Sequence, residues 1–175
     1  VGTAQSKQIE GVILGGNAQA ELVSELQSQH VAVVLVNNRM AGFDLPCVVS
    51  DEHAGVRQAI EHLINRGHRR IAMISGRFSP YIVRERYAAF LEVMRDHHLP
   101  VDAAGVKMCN HDVESATEAA LELLSQPDRP TAIFGANDVI AAGTIKACRR
   151  LGLRLPEDLA VVGFDDSAIC TMLEP

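Results

Sequence analysis

The chain has 175 residues, is 47% hydrophobic and carries a formal net charge of −6. That apolar share supports a packed core and excludes a disordered chain. The acidic balance, with both signs interspersed, excludes a protein that grips nucleic acid through these residues alone, because phosphate binding needs a basic face.

In chain order, "GVILGG" (11–16) is a short apolar run closed by glycines and predicts a strand. Ala18, Leu22, Val23 and Leu26 recur at helical spacing, and "VAVVLVN" (31–37) is a nearly continuous β-branched run, so strand, helix, strand is the expectation. "LPCVVS" (45–50) predicts a brief extended stretch. Val56, Ala59, Ile60, Leu63 and Ile64 form an apolar stripe on one helix, stopped at Gly67. His68, Arg69 and Arg70 follow, where cations suit the helix dipole. "IAMISG" (71–76) is the next strand; Arg77 then opens a loop leading to Arg84 and Arg86. Tyr87, Phe90, Leu91 and Met94 mark a helix that ends before Pro100. "VKMCN" (106–110) predicts a strand, 114–125 a helix, "TAIFG" (131–135) a strand, 138–150 a helix ended by Gly152, and "LAVVGF" (159–164) the last strand.

This alternation predicts an α/β fold. Several strands are apolar on both faces, the pattern of a parallel sheet covered by helices on each side. The expected break between lobes lies near Ser50 and Asp51, where a short strand meets a new helix. Cys47, Cys109, Cys148 and Cys170 are widely spaced, with no C-x-x-C, and read as buried free thiols of a reducing cytosol. No apolar run approaches the length of a membrane span and no secretion signal is evident, so the expected location is cytoplasmic, with no membrane partner.

In open parallel sheets, ligands bind beyond the carboxyl ends of the strands. Asn37, Asn38 and Arg39 follow one strand here, Arg77 another, then Asn110, His111 and Asp112, then Asn137 and Asp138, and finally Asp165 and Asp166. Asparagine, aspartate and arginine around one opening suit a polyhydroxylated ligand, since they donate to and accept from hydroxyls. Asp51 and Asp138 fit ordinary roles at helix starts. The adjacent acids Asp165 and Asp166 pose a choice: if the chain stays extended past Phe164, only one can face a ligand. The other, Asp166, would hold the local turn.

"HLINRGHRRIAMISG" (62–76), "RERYAAF" (84–90) and "ANDVIAAGTIKACRRLGLRLPEDLAVVGFDDS" (136–167) together resemble the effector-binding core of the LacI/GalR family of transcription regulators. The resemblance runs from about residue 11 to the end. It implies a periplasmic-binding-protein-like fold, with two lobes of parallel sheet and a ligand in the cleft. Residues 1–50 would be part of an incomplete N-terminal lobe and 51–175 the C-terminal lobe. The ligand positions it carries over are Arg86, Asn137, Asp165, Asn37 at the end of the "VAVVLV" strand, and His111 in a slot commonly held by a stacking aromatic. It also implies a homodimer, with an interface on 168–173 and on the helix containing Ala142, Ile145 and Lys146. The family's DNA-binding headpiece is not in this sequence, so the chain reads as an internal piece of a regulator that reaches operator DNA through that headpiece.

The expected mechanism is a population shift: a small-molecule effector, a sugar or sugar derivative, favours one arrangement of the lobes and so alters operator binding. A stand-alone sugar-binding protein of a transport system would share the fold. Enzymatic chemistry is not expected. There is no G-x-S-x-G elbow, no phosphate-cradling glycine loop, and no set of histidines and cysteines with metal-ligand spacing. Neither cofactor nor metal is expected.

Overall fold

A computed structural model describes residues 9–77 and 79–173 of the chain. These fall into two compact units. The first holds the described residues of Val1–Asp51 with those of Phe78–Ile82; the second holds Glu52–Arg77 and the described residues of Val83–Pro175.

The first unit contains β1 (Gly11–Gly15), α1 (Ala20–Ser28), β2 (Ala32–Val36) and β3 (Cys47–Val48). The strands form a parallel sheet in the order β1-β2-β3, with Ile13 opposite Val34 and Leu35 opposite Cys47. Val33 and Leu35 point from β2 into a core shared with Leu26 and Val31, against which Val12, Leu14 and Leu22 pack. Alternate residues of β1 are left outside, and Ile13 is 75% exposed. The apolar "GVIL" run is therefore covered on one face, not two.

The second unit contains α2 (Glu52–Asn65), β4 (Ile71–Gly76), α3 (residues 83–96 of the helix Pro80–Asp96), β5 (Val106–Cys109), α4 (Val113–Leu124), β6 (Ala132–Gly135), α5 (Asp138–Leu151) and β7 (Ala160–Val162). Its sheet is fully parallel, in the order β5-β4-β6-β7. Every residue of β4 and β6 is buried, as two-sided burial requires of central strands. From β4 the chain moves outward to β5, then crosses back to β6 and on to β7. The strand order thus reverses between β4 and β6, and the loops after these two strands depart in opposite directions. Such a switch point is where open α/β sheets leave a crevice.

Local chemistry explains the boundaries. α2 ends at Gly67, whose φ of 93° is left-handed, and Arg69 Nη1 donates to the Ile64 carbonyl at 2.9 Å, meeting one of the open carbonyls of the last turn. α5 ends at Gly152 with φ 67°. Asp112 caps α4 by accepting the Ser115 N–H at 2.8 Å. α4 and α5 lie close enough that a Cβ on Gly143 would meet the Ala116 Cβ at 2.5 Å and the Val113 carbonyl oxygen at 2.7 Å, so only glycine fits this contact.

Two expectations need correction. The loop expected to lead up to Arg84 is shorter than predicted: the helix begins at Pro80 and already includes Arg84 and Arg86, and proline suits a first helical position because its missing N–H has no partner there anyway. Cys170 is exposed, unlike Cys109 and Cys148; burial pushes the Cys148 thiol up to about 11. On α5, Ala142 is 5% exposed, whereas Ile145 and Lys146 are half-buried.

Candidate functional site

The carboxyl ends of β6 and β7 carry a buried polar network of the second unit. Its centre is Arg86, on α3 and 4% exposed. Nε donates to Glu52 Oε2 at 2.6 Å. Nη2 donates to Asp165 Oδ1 at 2.7 Å, and Nη1 donates to the Ala136 carbonyl. The guanidinium carbon sits 3.8 Å from the centroid of the Phe164 ring, a cation–π stack. Burial of an arginine is costly unless its charge is met and its N–H groups are bonded; two carboxylates, a carbonyl and an aromatic face meet those needs.

Phe164 is itself positioned. Its ring meets Phe134 edge to face, with centroids 6.4 Å apart and planes at 72°. A Cβ on Gly55 would lie 2.6 Å from the Phe164 Cζ, so the first turns of α2 admit the ring because residue 55 has no side chain. Glu52, in the first turn of α2, has its carboxylate near the positive end of that helix dipole.

Asn137 caps α5: its Oδ1 accepts the Ile140 N–H at 3.0 Å. That contact fixes the orientation of the amide, which leaves Nδ2 to donate. It lies 2.7 Å from His111 Nε2, so Nε2 accepts, which places the imidazole proton on Nδ1. Asn137 is 3% exposed, whereas His111 is on the surface. Four of the five predicted site residues, Arg86, His111, Asn137 and Asp165, belong to this unit, and they join in two contacts. The fifth, Asn37, belongs to the first unit. It has a left-handed φ of 52°, its Oδ1 lies 3.3 Å from Ser50 Oγ, and its carbonyl accepts from Ser79 Oγ at 3.4 Å.

The acid pair does not follow an extended strand. β7 ends at Val162, and Asp165 and Asp166 have φ of 99° and 53°. Two consecutive left-handed residues make a tight turn, so strand alternation cannot separate their roles. Aspartate tolerates this region better than most residues. The two acids nevertheless differ in their partners, and the expectation that Asp166 holds the turn is not met. Asp165 is held by Arg86 with its side chain 44% exposed. Asp166 makes no hydrogen bond among the described residues, and the turn is held by Asp138, whose Oδ2 accepts the Ser167 N–H at 2.6 Å. Asp138 is 5% exposed, and a Cβ on Gly163 would lie 2.6 Å from its Oδ1. Asp138 therefore does more than begin a helix.

An open depression of ≈ 660 Å³ runs beside β7, bordered by His62, Asp138, Phe164, Asp165 and Asp166. A second, of ≈ 320 Å³, lies at the opposite ends of the strands around Ile71, Leu123 and Pro130; it holds none of the predicted site residues. Among the described residues there is no group of three or more metal-ligating side chains, and no helix long and apolar enough to cross a membrane.

Residues 60–175 match the family described as "Periplasmic binding protein-like domain". The chain belongs to this family. Within the periplasmic binding protein-like family, its relatives are LacI-type regulators, which bears out the resemblance drawn from the sequence. Catabolite control protein A of Priestia megaterium is 32% identical over 171 residues, 97% of this chain and 52% of that protein. The HTH-type transcriptional repressor CytR of Escherichia coli K12 is 29% identical over 97% of this chain and 50% of its own length. A regulatory protein of the LacI family from Chloroflexus aggregans superposes with a TM-score of 0.89 at 33% identity, over 98% of this chain and 62% of that one. The chain thus spans about half the length of the curated relatives it matches. CytR is named as a transcriptional repressor and the Chloroflexus aggregans protein as a regulatory protein.

Sequence reasoning did not single out Glu52, Gly55 or Phe164. Phe164 stands inside the quoted "GFDD" stretch, a signal that could have found it. Glu52 reads as an ordinary first-turn acid, and nothing local says that it turns inward.

Proposed function

We propose that the chain is the effector-binding core of a cytoplasmic LacI-type transcriptional regulator, with the first unit as part of its N-terminal lobe and the second as its C-terminal lobe. The effector is a small polyhydroxylated molecule, a sugar or sugar derivative, bound at the carboxyl ends of the strands. The observation that carries this reading is the Asp165 carboxylate, half exposed and aimed by an arginine whose Nε and Nη1 also donate to Glu52 and to the Ala136 carbonyl. Asp165 accepts ligand hydroxyls. Arg86 acts through it, as a positioning residue. His111, bonded to Asn137, is a further candidate for contact with the ligand, and Asn37 is a candidate ligand-binding residue on the first unit. Effector binding favours one state of a homodimer over another and so changes operator affinity, with DNA contacted through segments outside these 175 residues. The exposed turn Ala168–Met172, with Met172 79% exposed, fits the dimer contact.

Calorimetric titration of a panel of neutral sugars into the native chain and the Asp165→Asn variant tests the assignment. Loss of one charge-assisted hydrogen bond lowers affinity by about 1.5–3 kcal/mol, or roughly ten- to 150-fold. Unchanged affinity in Asp165→Asn would remove Asp165 from the site.

A further inference from the structure

We infer that Glu52 sets the charge class of the effector: by neutralising Arg86 from behind, it makes the site select uncharged or cationic polyols and reject anionic ones, such as sugar phosphates and sugar acids. This deepens the effector-binding reading above and rests on it.

An arginine at a strand end is ordinarily the natural anchor for a phosphate or carboxylate. A planar guanidinium recognises such groups through two-pronged edges, one made by Nε with one Nη and the other by the two Nη groups. On Arg86 all three nitrogens already donate. Nε is bonded to Glu52 at 2.6 Å, Nη2 to Asp165 at 2.7 Å and Nη1 to the Ala136 carbonyl. Both nitrogens of each edge already have an acceptor, and one face is covered by Phe164 at 3.8 Å. An anion would have to displace a carboxylate to gain a fork.

Charge points the same way. The single positive charge of Arg86 is outnumbered by the two carboxylates bonded to it. One of them, Glu52, has a side chain 3% exposed, where its field is little screened by water. The depression beside β7 adds Asp138 and Asp166 and includes no lysine or arginine in its border. An incoming phosphate therefore meets acceptors that cannot donate to it and a net negative surround. A hydroxyl or an ammonium meets acceptors that suit it. Asp165 and Asp166 alone would not decide this, because with Glu52 absent one Arg86 prong would be released.

The test uses inorganic phosphate as the anion probe, with glucose, glucose 6-phosphate and glucuronate as a matched set, titrated into the native chain and into Glu52→Gln. Glutamine keeps an acceptor for Arg86 Nε but removes the charge. The expected result is that Glu52→Gln binds phosphate at least about tenfold more tightly than the native chain, the scale of one charge-assisted contact. Equal phosphate affinity in the two proteins, measurable or not, overturns the inference, as does a native chain that binds the phosphorylated or acidic sugar better than its neutral counterpart. Failure of every neutral sugar sinks the sugar-effector reading while leaving the phosphate comparison standing. If Glu52→Gln does not fold, the native chain's own preference between glucose and glucose 6-phosphate decides the inference, a preference for the phosphorylated sugar overturning it.

Discussion

Replacing Arg86 by methionine keeps much of the apolar stem and deletes the charge. Glu52, 3% exposed in its side chain, then remains as a buried carboxylate without the guanidinium now 2.6 Å away. Removing one partner of a buried ion pair costs about 3–5 kcal/mol. The first turn of α2 returns about 1 kcal/mol of this, since a helix N-terminus favours negative charge. Asp165 adds little, because at 44% exposure it stays hydrated. The net loss is about 2–4 kcal/mol, which for a chain of this size lowers the melting temperature by roughly 5–15 °C. Thermal melts followed by circular dichroism measure it. The double variant Glu52→Gln with Arg86→Met should regain most of the loss, because no uncompensated charge remains. An Arg86→Met protein that melts within about 2 °C of the native one, or a double variant no more stable than Arg86→Met, would refute the view that this pair organises the site.

The turn after β7 should depend on Asp138 and not on Asp166. Asp138→Ala should cost about 2 kcal/mol through the lost charge-assisted bond to the Ser167 N–H, whereas Asp166→Asn, which tolerates a left-handed backbone, should stay within about 0.5 kcal/mol in urea unfolding; the reverse order would return the turn to Asp166. At the foot of β7, the side chain of Arg154 and then its backbone N–H hold the Asp158 carboxyl down to about 2. Because the folded value is depressed, the contribution of this contact is present above the ordinary value of 3.8 and is lost as pH falls through about 2. Carbon-detected NMR titration should find Asp158 still ionised at pH values where ordinary aspartates have protonated, and Arg154→Ala should move its midpoint upward.

Local rules by themselves determined the alternation of strands and helices. β-branched runs, 3.6-residue stripes and stop signals at Gly67 and Gly152 act within a few residues, and the structure obeys them. The motifs around Asn137 and Asp165 were also legible, because a strand end followed by a polar group has a defined place in a parallel sheet. What the chain's order in one dimension could not show is which distant groups meet. Glu52 is 34 residues from Arg86, and Asp165 is 79 residues away in the opposite direction. Only the stacking of α2, α3 and the end of β7 brings them onto one guanidinium. The orientation of Asp165 and Asp166 was likewise a tertiary decision. An extended continuation was locally reasonable, but the Ser167 N–H bonded to the buried Asp138 carboxylate turns the chain through two left-handed residues. Helix and strand propensities are sums of short-range terms, so they are written in neighbouring residues; the charge state of a site depends on which buried groups face each other, and that is decided by packing.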